Sequence, residues 1–168
     1  YTAESQAVAS TGGAAIRILM DSSNDCQGYV ISMSHDGAVV TLDTIDIAGT
    51  SADTAGAEFV VPNTYATGGT LGVVMDFNAP FDGQVIGAGN NIHVANFNYS
   101  CASTVFYTEG DAAPATASSA LTFEDNVMNN PPLENVTVSA GLSVYPTLND
   151  GSCDCEPIEI PAEDTELW

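Results

Sequence analysis

Two short loops carry residue types that hold a hard cation. Asp21, Asn24 and Asp25 lie in one and Asn149, Asp150 and Asp154 in the other, each set offering the oxygen ligands that calcium takes. Neither follows the EF-hand spacing, so the expectation is structural calcium weighed against a solvated acidic turn. The four cysteines are Cys26, Cys101, Cys153 and Cys155. A C-x-C with only His35 and His93 elsewhere lacks the second ligand pair of a zinc site, which leaves disulfides. Cys153 and Cys155 are too close along an extended strand to pair easily with each other. Cys26 and Cys101 are therefore each expected to take one tail cysteine, with free or partly paired thiols as the alternative.

Catalytic signatures are missing. The chain holds no G-x-S-x-G elbow, no G-x-x-x-x-G-K loop and no H-E-x-x-H helix. His35 sits in a turn beside Asp36 and His93 at a strand start, where hydrogen-bonded structural roles are expected. With 22 acids, carboxylate pairs arise at any separation, so a glycosidase-like pair carries no information. No enzyme is expected. Asn98-Tyr99-Ser100 and Asn135-Val136-Thr137 match the glycosylation sequon, which makes Asn98 and Asn135 candidate acceptors.

Composition narrows the partners. The 22 acids face a single Arg, Arg17, and no Lys, for a net charge of −21. Such a surface repels nucleic acid and anionic lipid heads, so neither is expected as a partner, and no apolar run is long enough to span a bilayer. The chain starts at Tyr1 and carries cysteines, which reads as a mature secreted chain, extracellular or on the cell surface. Saline surroundings or divalent ions would relieve its self-repulsion.

These residues must be positioned by strands. Gly28 to Ala48 reads as a β-hairpin: Tyr29, Ile31 and Met33 alternate with Val30, Ser32 and Ser34, and Ser34-His35-Asp36-Gly37 has turn chemistry. In its second half the apolar positions switch parity between Leu42 and Ile45, which calls for a β-bulge. A second switch separates Ile92 and Val94 from Phe97 and Tyr99. Further strands are read over Ala15 to Met20, Glu58 to Val61 (stopped by Pro62), Leu71 to Phe77, Val105 to Tyr107, Leu121 to Phe123 and Val136 to Val144. Gly49 to Gly56 reads as loop, Pro131-Pro132 as a rigid corner, and 109–119 and 125–131 as the places that could hide a helical turn. About nine strands and no amphipathic helix predict an all-β, two-sheet sandwich. The organisation is an N-terminal arm over 1–13, a sandwich over 14–148 and an acidic, cysteine-containing tail over 149–168.

The run Gly28-Tyr29-Val30-Ile31-Ser32-Met33-Ser34-His35-Asp36 followed by Val39-Val40-Thr41-Leu42 resembles cohesin-type domains. Gly72-Val73-Val74-Met75-Asp76-Phe77 and the strand from Ala95 to Tyr99 resemble the middle of such domains. The resemblance covers roughly residues 7–145 and implies a nine-stranded jelly-roll sandwich that binds another protein and is not an enzyme. The tail adds apolar anchors among acids, Ile158, Ile160, Leu167 and Trp168, which an ordinary frayed end seldom carries. They are the expected partner-binding residues, through a strand added to a neighbouring subunit. The expected function is thus an extracellular interaction protein, assembling with copies of itself or another protein as a filament or surface-layer subunit. The alternative is a carbohydrate-binding module with polysaccharide as its partner, although no planar row of exposed aromatics announces one.

Overall fold

The computed structural model describes residues 1–127 and 133–162. Its strands in chain order are β1 (Thr2–Ala3), β2 (Gln6–Ala9), β3 (Gly13–Ser22), β4 (Gly28–Ser34), β5 (Val40–Asp46), β6 (Phe59–Tyr65), β7 (Gly68–Val74), β8 (Gly89–Cys101), β9 (Phe106–Thr108), β10 (Ala117–Phe123), β11 (Val136–Ser139), β12 (Leu142–Val144), β13 (Gly151–Glu156) and β14 (Ile158–Ile160). One short helix, α1 (Ser51–Thr54), interrupts them. The fold is the expected all-β sandwich. Its smaller sheet runs β1–β3–β8–β5, and its larger sheet is centred on β4. Ile16, Ile18 and Met20 of β3 and Phe97 and Tyr99 of β8 face Tyr29, Ile31 and Met33 of β4, Leu71 and Val73 of β7, and Leu121 of β10, all buried.

The stretch read as a hairpin is instead a corner between sheets. β4 pairs with β7, β10 and β11, whereas β5 pairs with β8 in the other sheet. The turn chemistry is as read, Asp36 Oδ1 accepting the Ala38 N–H at 2.9 Å. Local sequence specifies such a turn but not the partner of the outgoing strand, and both edges of β4 are already covered. Both face switches appear as register breaks. One lies between Leu42 and Thr44; the other lies opposite Ile18 and Leu19, where Val94 is skipped in the ladder. The Val94 carbonyl accepts the Tyr29 hydroxyl across the core at 2.6 Å, so the second bulge also ties the sheets together.

His35 lies at this corner, buried and edge-on to Tyr99 with ring centroids 5.3 Å apart. Burial holds its imidazole below the ordinary histidine range. The unfolded chain takes up the proton at about pH 6.5, before the folded chain does, so this contribution is intact above that value and is lost as pH falls. A His35→Leu variant is expected to show a shallower fall in urea midpoint between about pH 7 and 5.5 than the parent chain, because the group that titrates there is gone.

Three further expectations change. The apolar run from Val136 to Val144 is a hairpin of β11 and β12, turning at Ala140 (φ 49°) and Gly141 (φ 74°). Alternation alone does not reveal a two-residue turn whose first member is Ala. Since Cβ disfavours that region and Asn-Gly suits such turns, Ala140→Asn is expected to stabilise the fold by about 1 kcal/mol, read as a raised urea midpoint. The strand of Phe59 continues through Pro62 because β6 pairs with β7 alone, leaving proline's missing donor on the free edge. The helical turn falls at α1, in the loop of small residues, where Thr50 caps Asp53 N and Asp53 accepts the Gly49 N–H at 2.8 Å. Pro131-Pro132 lies outside the described residues, as does part of 125–131.

The segments read as arm and tail are woven into the sheets. β1 pairs with β3, and β2 pairs in parallel with β13, which itself pairs with β10. Tyr1 is buried, its hydroxyl donating to the Val136 carbonyl at 2.9 Å and its amine to the Thr147 carbonyl at 2.6 Å.

The cysteine expectation is half met. Cys101 and Cys155 form a disulfide, but Cys26 and Cys153 are buried free thiols. Cys26 precedes the Gly28 end of β4. Cys153 pairs in register with Ser119, whose hydroxyl accepts the Asp36 N–H just beyond the Ser34 end. The seven residues of β4 therefore separate them, roughly 20 Å of extended chain.

Candidate partner-binding face

Register places two rows of side chains across the outer face of β6, β7, β4 and β11. Phe59 opposes Val74, Val74 opposes Gly28, and Gly28 opposes Val138; one step along, Val61 opposes Gly72, Gly72 opposes Val30, and Val30 opposes Val136. Every member is apolar or glycine. Phe59 and Val61 are exposed, and the four valines Val30, Val74, Val136 and Val138 are half-buried. Between the rows runs a groove of about 440 Å³, walled on one side by Gly83, Gln84 and Val85 from the loop after β7. A Cβ built on Gly72 meets nothing within 4 Å, so the groove floor is hollow at that point.

The opposite face of the molecule shows what a solvated sheet looks like. There Asn98 donates to Thr44 Oγ1 at 3.0 Å and to Asp46 Oδ2 at 2.8 Å, and Asn96 donates to Asp46 Oδ1 at 2.9 Å. An antiparallel sheet with one wet face normally alternates apolar-in and polar-out. In β11 the alternation is reversed: Thr137 and Ser139 are buried while Val136 and Val138 face out. Thr137 is satisfied inside by the Tyr1 hydroxyl at 2.7 Å, and Ser139 donates to the Asp25 carbonyl at 2.9 Å.

The groove ends in negative charge. Asp76 lines it, with Glu58 and Asp82 close by. Backbone N–H groups of Asn78 and Phe77 hold the Glu58 carboxyl below the usual range, and Asp76 Oδ2 accepts the Gly83 N–H at 2.8 Å. Phe59 stacks at a tilt on Phe77, with centroids 4.8 Å apart. Arg17, the chain's sole basic side chain apart from histidine, is on the other sheet, 3.4 Å from Glu4.

The residues singled out from sequence lie elsewhere. Ile158 and Ile160 belong to β14, which pairs in parallel with β9 of the same chain, and both are half-buried there; Leu167 and Trp168 lie outside the described residues. In the first acidic loop, Asp21 and Asp25 accept the backbone N–H of Asn91 and Ala88 at 2.6 and 3.1 Å, and Asn24 donates to Ser23. In the second, Asp150 accepts the Phe123 N–H at 2.9 Å, Asp154 accepts the Ser118 hydroxyl, and Asn149 donates to Thr2. These carboxylates tie one chain segment to another. Asn135 is buried with its amide donating to the Ser32 carbonyl, a position with no room for a glycan, and the Asn98 amide is engaged as above. His93 Nε2 lies 2.8 Å from Asn96 Oδ1.

Sequence reasoning missed the outer valines because it read Val136 to Val144 as one alternating strand and grouped Val30 with Ser32 and Ser34, with nothing to mark either set as an outer apolar face. A usable signal was present in Val73-Val74-Met75 and Tyr29-Val30-Ile31, which are apolar at consecutive positions and so on both faces.

No protein-family model matches the sequence, and no curated protein matches it. Solved structures do resemble the fold. A type I cohesin–dockerin complex from Clostridium thermocellum superposes with a TM-score of 0.65 at 15% identity, over 95% of this chain and 92% of that one. The sixth cohesin of scaffoldin B from Acetivibrio cellulolyticus, in complex with a dockerin, gives 0.64 at 9% identity over 92% and 96%. A non-cellulosomal cohesin from the archaeon Archaeoglobus fulgidus gives 0.61 at 9% identity over 98% and 93%. Across nearly its whole length, this chain has the fold of a cohesin module.

Proposed function

We propose that this chain is a non-catalytic protein-docking module, working outside the cell, whose partner seats on the outer face of β6, β7, β4 and β11. The observation that carries the reading is the pair of apolar rows, set where a solvated sheet would show polar residues. Charge defines the partner further: a face ending in Asp76, Glu58 and Asp82, on a chain of net charge −21, suits a surface with apolar anchors beside Lys or Arg. The Clostridium and Acetivibrio structures hold dockerins, so a dockerin-type module with a basic rim is the first partner to try. Terminal arms serve less well as the assembly device, because β1, β2 and β14 are paired within their own chain. Polysaccharide fits less well too, since the two rows offer valines where sugar rings would need a flat aromatic platform.

The test compares capture by immobilised parent chain, by a Val74→Glu/Val138→Glu variant, and by a chain ending at Glu156. A partner held by the parent and the shortened chain but lost from the double variant supports the reading. Retention by the double variant, with loss on shortening, would return the role to the tail.

A further inference from the structure

The two apolar rows alone are too small for a full interface. Across strands about 4.8 Å apart, and two side chains deep along each strand, they cover roughly 14 Å by 14 Å, on the order of 200 Å². A standard interface takes about 800 Å² from each partner. The contact must therefore run on past the rows, and three directions are closed to it. Along the strands in one sense, the next row is Asn63, Thr70 and Ser32, of which Thr70 and Ser32 are already buried by the chain itself. In the other sense stands the wall of Gly83, Gln84 and Val85. Across the strands, β6 is the edge of its sheet, pairing with β7 alone. Past β11, however, the sheet continues into β12.

In the ladder of β11 with β12, Val138 opposes Ser143 and Thr137 opposes Val144. Ser143 thus extends the first row, and Tyr145, one step past the last pair, comes level with Val136 at the end of the second. Period-two alternation puts Leu142 and Val144 on the other side, with Ser139 and Thr137. Tyr145 is 69% exposed, yet it is held in place. A hydrogen bond to the carboxylate of Glu134, two residues before Val136, keeps its hydroxyl above the ordinary tyrosine range, and Pro146 after it favours extended backbone. A large side chain already oriented loses little freedom on binding, and tyrosine is among the residues that carry most interface energy. We propose that Tyr145 is an anchor of the docking face, which runs from Phe59 across β6, β7, β4, β11 and β12, and that the partner is a protein surface wide enough to touch both ends. That span is roughly 19 Å, more than one inserted side chain covers. Glu134 puts a carboxylate at the Tyr145 end as Asp76 does near Phe59, so the partner is apolar across its middle with Lys or Arg at both margins. The inference rests on the docking reading and adds to it the extent of the face and one residue that holds the partner there.

The probe is a partner chosen by the capture comparison above, held by the parent chain and lost from Val74→Glu/Val138→Glu. Its affinity for full-length variants is measured by calorimetry. Tyr145→Ser is expected to weaken binding about thirtyfold with the unfolding midpoint unchanged, and Ser143→Glu, at the end of the first row, to weaken it as well. Leu142→Ser alters the same hairpin at an equally exposed position but on its other side, and is expected to bind as the parent does. Equal affinity of the parent and Tyr145→Ser for that partner overturns the inference and leaves the docking reading standing. A loss that follows Leu142 as strongly as Tyr145 does the same, since it would come from the hairpin's integrity and not from the face. If no partner meets the capture criterion, the docking reading falls and this inference falls with it.

Discussion

Replacing Cys101 and Cys155 together by alanine is expected to lower the unfolding free energy by about 4 kcal/mol, measured by urea unfolding of the oxidised parent and the variant. The bond closes a sequence separation of 54 residues, and loop-closure entropy of the unfolded chain grows with that length. Its position adds a second reason for a large effect. Cys101 ends β8 in one sheet, and Cys155 lies in β13 of the other, so the bond clamps the C-terminal strand across the sandwich. The same experiment counts thiols. Cys26 is buried, with its thiol pushed up to about 11 by burial and its Sγ 3.3 Å from the Gly28 carbonyl, and Cys153 is buried likewise. Both are expected to resist a thiol reagent in the folded protein and to react once it is unfolded without reductant. Four reactive thiols under those conditions would contradict the Cys101–Cys155 bond.

Asn135→Ala is expected to destabilise the fold by about 3 kcal/mol, summing a lost bidentate contact and an orphaned buried N–H. β4 has no single neighbour on one of its edges. β11 pairs with it from Gly28 to Val30 and β10 at Met33 and Ser34. In the gap, Asn135 Oδ1 accepts the Ser32 N–H at 2.8 Å and Asn135 Nδ2 donates to the Ser32 carbonyl at 2.9 Å. One side-chain amide thus stands in for a missing strand residue. Asn135→Asp keeps the acceptor but loses the donor, so it is expected to recover only part of the loss and to worsen as pH rises. Equal stability of parent and Asn135→Ala would mean that water serves Ser32 as well as the amide does.

What could be read from the chain follows from which interactions are local. Alternation in Ile16, Ile18 and Met20, the Asp36 turn, and the parity breaks at Leu42/Ile45 and before Phe97 are properties of a few consecutive residues, and the sandwich follows from them. Pairing is not local. Nothing in Gly28 to Ala48 says that β4 finds β7 while β5 finds β8, and nothing near Cys153 says that a whole strand separates it from Cys26. The candidate face was hidden by a related problem. Val136 and Val138 have the types of core residues, and only the satisfaction of Thr137 by Tyr1, the length of the chain away, turns the valines outward. The acidic end of the groove was hidden in the same way, since Glu58 meets Asp76 and Asp82 only through the pairing of β6 with β7.

Gly72 allows the docking claim to be tested with little disturbance to the fold. Its Cβ position is open and its strand geometry ordinary, so valine there should leave stability unchanged or improve it, since valine suits strands better than glycine does. The same side chain fills the hollow between Val30 and Val61. Calorimetric titration of a captured partner into the parent chain and into Gly72→Val is the direct measurement. The docking account predicts an affinity loss of at least about tenfold, or 1.4 kcal/mol, with an unfolding midpoint unchanged or raised. Equal affinity for both chains would place the partner elsewhere and contradict it.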